Sequence, residues 1–162
     1  MPIDISNKEE LQLLFGKALW MESKLELALQ WEAYMNMGEK YRDLLFTIAH
    51  DSESHSIVLR EICSNIEGLD LQKEIEVFDS KEFDLSKMID EENFTQMLRY
   101  ELLALDIYTK LNNLTNRKFL EKIWKGKNID EYYNKLKWLV KEEERHRDLI
   151  KPLVGRVAIT SI

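Results

Sequence analysis

The stretch LKWLVKEEERHRDLI, residues 136–150, decides the fold. Leu136, Val140, Glu143, His146 and Ile150 recur at the spacing of one helix face. A helix that buries its leucine and isoleucine along this stripe therefore buries a glutamate and a histidine as well. Residues three apart share a face, so a carboxylate oxygen of Glu143 and an imidazole nitrogen of His146 reach a common cation. The competing reading takes Lys141-Glu142-Glu143-Glu144-Arg145 as a solvated charge run. The fit of Glu143 and His146 to the apolar stripe weighs against it.

Three more stretches repeat the anomaly. Tyr41, Leu45, Ile48, Ser52, His55, Leu59, Ile62 and Ile66 form a helical stripe that carries Ser52 and His55. Phe94, Met97, Glu101, Ala104, Tyr108 and Leu111 place Glu101 on a third stripe, and Leu11, Phe15, Ala18, Glu22, Leu25 and Leu29 place Glu22 on a fourth. A buried carboxylate without a partner costs several kcal/mol, so it needs a proton, a counter-charge or a metal. The bland alternatives are a carboxylate bonded to a core Tyr or Arg for Glu101, and a stripe-edge position for Glu22, with Glu26 and Glu32 nearby. Carboxylates and imidazoles from four helices at one level are the recipe for a di-metal site in a bundle core.

The order of elements follows from caps and breakers. Ser6 with Glu9 reads as a capping box, and the first helix runs from there to a stop at Gly38. The second follows at once and ends near Gly68, so a short turn makes the pair antiparallel and sets Glu22 between Ser52 and His55. Leu69 to Ile89 reads as a long crossover, with a short helix around Leu71 to Phe78. The third helix spans Asp90 to Leu114. A short helix from Arg117 to Lys125 and a turn at Gly126 lead to a fourth long helix, capped by Asn128 and Glu131, that kinks or stops at Pro152. The expectation is an all-α antiparallel four-helix bundle in one domain over residues 1–162: hairpin 6–68, crossover 69–89, hairpin 90–154. The two halves share a pattern, a mid-helix Glu followed one helix later by a core His, as an internal duplication would leave.

Composition narrows the function. A hydrophobic share of 44% with 33% charged residues suits a helical protein with a real core, and Gly 5 with Pro 2 leaves few turns for a sheet. The net charge of -7 argues against nucleic acid as a partner, since its binders show a basic face. No uncharged run reaches ~20 residues, so no membrane partner is expected. The single Cys63 forms no internal disulfide and no Cys-x-x-Cys iron site, which fits a reducing cytoplasm. His50 reads as a surface residue, Cys63 as a small buried hydrophobe, Tyr100 and Tyr108 as core aromatics, and Trp20, Trp31, Trp124 and Trp138 as core or interface packing.

These motifs resemble the ferritin-like superfamily, and within it the rubrerythrin-like proteins. Glu101-x-x-Ala104-x-x-x-Tyr108 is similar to the family's third helix, Glu143-x-x-His146 to its fourth, and Glu22 to its first-helix glutamate. The resemblance runs from about Leu11 to Leu153. It implies iron or manganese, two ions in the full pattern, held by Glu22, His55, Glu101, Glu143 and His146, with Glu101 or Glu143 bridging. It further implies an oxidoreductase of the peroxidase or oxidase kind acting on oxygen or peroxide, a separate electron donor, and a homo-oligomer, a dimer first. The second helix departs from the pattern: His50-Asp51-Ser52-Glu53-Ser54-His55 has Ser52 where the family has a glutamate. Asp51 is a nearby substitute. With a carboxylate missing, the alternative is a degenerate bundle with one metal or none, serving as a structural or interaction module.

Overall fold

Asn7 starts the first helix. Its side-chain oxygen accepts the backbone N–H of Glu10 at 2.8 Å, and its amide reaches the Glu10 carboxylate. The capping box thus sits one residue later than the Ser6/Glu9 pair expected from sequence, because the amide of Asn7 satisfies the free donors of the first turn. The computed structural model describes residues 3–27, 38–71 and 90–160. The expectations for Leu29, Glu32, Trp31 and a short crossover helix lie outside these residues, as do those for the side chains of Leu25 and Glu26.

The helices are α1 (Lys8–Leu27), α2 (Arg42–Ser64), α3 (Asp90–Leu114), α4 (Arg117–Ile123) and α5 (Asp130–Thr160), with a 3-10 turn at Glu39–Tyr41 before α2. Among the described residues the chain is all-helical apart from isolated bridges pairing Ile5 with Thr115 and Ile66 with Trp124. No described helix is long and apolar enough to cross a membrane. Gly38 has an extended backbone (φ -56, ψ 142) and leads into the 3-10 turn. The left-handed position is Gly68 (φ 79), which closes the end of α2 where a side chain would be strained.

α1 packs on α2 and α3, and α5 packs on α3 and α2. The start of α1, the end of α2, the end of α3 and the start of α5 meet in one apolar cluster that includes Ile5, Leu11, Leu59, Ile62, Leu111, Leu120, Tyr132 and Leu136. Backbone bonds from Ile5 N to Leu114 O and from Glu67 N to Ile123 O, both 2.8 Å, tie that end together. The opposite end holds a second cluster of Leu45, Ile48, Ala49, Phe94, Met97 and Ile150. α2 and α3 therefore run the same way, which requires a crossover between them, and each is antiparallel to its own neighbour in sequence.

Beyond the shifted cap of α1, further boundaries differ from the sequence reading: α2 ends at Ser64, short of Gly68. α4 ends at Ile123, not Lys125, because Trp124 turns extended (ψ 122) to pair with Ile66, and Lys125 N donates to Asn65 O at 2.7 Å. α5 continues through Pro152 to Thr160 instead of stopping there. Pro152 and Asp148, whose carbonyl loses its i+4 donor, are both on the exposed face, where water takes up that carbonyl.

Core burial makes the stability expectation simple. Leu59 is fully buried, so Leu59→Ala is expected to cost ~2–5 kcal/mol. Leu149 is 41% exposed, and Leu149→Ala should stay within ~0.5 kcal/mol. Urea unfolding midpoints for the two variants beside the parent protein check the contrast.

Candidate metal centre

Between the two apolar clusters lies a polar layer. Glu22 from α1, Ser52 and His55 from α2, Glu101 from α3, and Glu143 and His146 from α5 are all buried. Each sits where helical periodicity put it, and the matched distances from the turns bring the pairs together. His55 Nδ1 is 3.3 Å from Glu22 Oε1, and His146 Nδ1 is 3.2 Å from Glu101 Oε2. His55 Nδ1 also comes within 2.9 Å of Glu143 Oε1. The two imidazole rings stack with centroids 5.3 Å apart. All the sequence-predicted residues thus converge on one level of the bundle.

Several polar atoms in this layer have no hydrogen-bond partner. They are Glu143 Oε2, Glu101 Oε1 and His55 Nε2, all buried; Glu143 Oε1 meets only the 2.9 Å contact with His55 Nδ1. His55, Glu143 and His146 each offer a ligand atom, and these atoms lie within 4.8 Å of one another. Imidazole nitrogen with carboxylate oxygen suits zinc, iron or manganese. A divalent cation here would satisfy Glu143 Oε2, Glu101 Oε1 and His55 Nε2, which have no hydrogen-bond partner, so the residues fit such a metal.

Further groups hold the ligands in place. The Tyr108 hydroxyl donates to Glu22 Oε1 at 2.6 Å. His146 Nε2 is 2.9 Å from Asp51 Oδ2, and Arg145 ties Asp51 to Glu142. Asp51 is therefore the partner of His146 and Arg145, and it does not fill the place of the carboxylate that Ser52 lacks. Glu142 and Arg145 had read as part of a charge run; their i,i+3 spacing was the sequence signal of this clamp. Asp51, Glu142 and His146 also bring ligand atoms within 4.8 Å of one another, but Arg145 already pairs with both of those carboxylates. Trp138 from α5 sets its ring edge-on to His55, centroids 5.5 Å apart, and is itself 40% exposed, so it lies between the layer and solvent. Trp20 is buried and Trp124 half-buried; His50 is exposed, and Cys63 is buried as expected.

Charge in so dry a place is distributed unevenly. Burial, then the neighbouring charges of Glu101 and Glu22, push the Glu143 carboxyl well above its ordinary value and favour its neutral form. Burial alone would raise Glu101, but hydrogen bonds from Glu143 and His146 outweigh it and hold Glu101 below its ordinary value. Burial would lower His146, but hydrogen bonding and charge from Glu101 and Asp51 carry it up to about 9. Burial also opposes ionisation of Asp51, and here His146 and Arg145 win and lower it. Burial, then the charge of Glu22, raise the Tyr108 phenol far above its ordinary value, so it remains a donor. Without metal the layer thus consists of ion-paired His146 and a neutral Glu143.

Compared with family models, with curated proteins and with solved structures, the chain matches none.

The metal-free protein should lose stability as pH rises. His146 has a folded value of about 9 against an ordinary 6.5, so its contribution is full below about 6.5 and is lost as pH climbs through about 9. Glu143 acts in the same direction: above its ordinary 4.5 the unfolded chain releases a proton that the folded chain retains. Asp51 and Glu101, both lowered, supply the opposite loss on acidification. Thermal melting of chelator-treated protein across pH should peak on the mildly acidic side. Glu143→Gln, a neutral isostere with its own donor, should stabilise the metal-free fold by about 1–3 kcal/mol near pH 8 and flatten the alkaline limb.

Proposed function

We propose that this protein is a metal-binding helical protein of the ferritin-like kind, whose buried centre reacts with oxygen or peroxide. The observation that carries the reading is Glu143. Its Oε2 is buried without a hydrogen-bond partner and its Oε1 meets only His55 Nδ1, beside two imidazoles whose ligand atoms lie within 4.8 Å of its own. An apolar residue at this level would carry no such desolvation cost, whereas a cation would offset it.

Bound iron or manganese would supply Lewis acidity and electrons. The chain's own residues hold and orient. His55, Glu143 and His146 offer the central donors, with Glu22 and Glu101 beside them. Tyr108 fixes the rotamer of Glu22 through its hydrogen bond. Asp51 fixes the ring of His146 and, by accepting at Nε2, leaves Nδ1 facing the cluster. The apolar layers on either side keep water from the centre. Electrons would come from a separate donor, since the lone Cys63 builds no iron site of its own. A homodimer is the assembly that this reading carries.

A second reading is a metal-free structural bundle. The pairing of His146 with Glu101 and Asp51 favours it, because those contacts neutralise much of the layer without a cation. Metal content of the purified protein separates the two.

On the metal reading, protons and cation compete for His55, His146 and the glutamates. The ion should be lost as pH falls toward about 5, where imidazole is normally protonated. At free ion one hundred times Kd, binding adds about 2.7 kcal/mol, or roughly 5–11 °C in melting temperature for a chain of this size. Melting with chelator, then with added Fe(II), Mn(II) or Zn(II), measures it. A melting temperature indifferent to all of them supports the structural module.

A further inference from the structure

We infer that the centre takes a single divalent ion, on His55, Glu143 and His146, with Glu22 and Glu101 flanking it. This rests on the metal reading above and fixes its stoichiometry.

A carboxylate-bridged pair in a bundle needs a glutamate from each of two helices and a Glu-x-x-His from each of the other two. α5 supplies Glu143 and His146, and α1 and α3 supply Glu22 and Glu101. α2 supplies His55 and Ser52. Ser52 is buried at the level of the cluster, so its position is the right one and its chemistry is not: a short neutral hydroxyl is a poor ligand for a hard cation. Its neighbours do not compensate. Asp51 is engaged by His146 Nε2 and by Arg145, and Glu53 is exposed. α2 therefore offers one ligand where a pair requires two.

The imidazoles point to the same conclusion. In a pair each histidine serves its own ion. Here the two rings stack with centroids 5.3 Å apart, and both have ligand atoms within 4.8 Å of Glu143. Among the described residues, this is the one such group whose members are all buried. Two imidazoles and a carboxylate are the ligand set of mononuclear non-haem Fe(II) centres, which keep positions open for exogenous ligands.

The test is titration of the chelator-stripped full chain with Mn(II), read by calorimetry and by electron paramagnetic resonance. The expected result is one equivalent per chain with a mononuclear Mn(II) spectrum. Glu53→Gln, on the same helix as His55 but exposed, should keep one equivalent. Glu143→Gln, with its helical circular dichroism intact, should bind none. Two equivalents with an exchange-coupled spectrum would overturn the single-ion inference and leave the metal reading standing. No binding at all would overturn both. Ser52→Glu addresses the cause: a folded variant should take a second equivalent, and one that stays at a single equivalent refutes residue 52 as the limit.

Discussion

Desolvation of a few carboxylates and imidazoles is the constraint on which the rest of this structure depends. Glu22, Glu101 and Glu143 are carried into the dry interior by the same helical stripes that carry leucine and isoleucine there. Each would cost several kcal/mol alone and ionised. The core is arranged around that cost. Apolar clusters occupy both ends, and the polar side chains gather in one layer where each lies against another.

Two hydrogen-bonded groups frame the layer. Tyr108 reaches across from α3 to Glu22 on α1, and Asp51 reaches from α2 to His146 on α5. Both join helices that are not consecutive in sequence, so they lock the relative register of the two helix pairs. The outer clamp of Arg145 on Asp51 and Glu142 carries the network to the surface. The network is paired toward its edge, and its unmet bonding capacity falls inside the layer, on Glu143, Glu101 and His55. A cation would act on these atoms, and in the metal-free chain burial and the neighbouring carboxylates favour the neutral form of Glu143.

The helices, their order and the inward residues were legible in the chain. Leu136, Val140, Glu143, His146 and Ile150 specify a face by spacing alone, and the bounds of α3 agree with those read from sequence. Boundaries set by competition were less legible. Asn7 displaced the expected Ser6 cap, Trp124 left its helix to pair with Ile66, and α5 ran on through Pro152. In each, a contact or a solvent-facing carbonyl outweighed a local preference too small to prevail.

Sequence by itself determined which side chains enter the core, because helical periodicity is local and a stripe is either apolar or interrupted. It determined the departure at Ser52 for the same reason. It left open whether Asp51 filled that gap, since direction across a helix interface depends on the partner helix. Only the tertiary structure decided that Asp51 turns to His146 and Arg145, that Tyr108 serves Glu22, and that Glu143 Oε2 is left without a partner. These outcomes depend on which atoms of distant helices come within about 3 Å of one another. Spacing along one chain segment fixes a face, and distances between faces arise only when the helices pack.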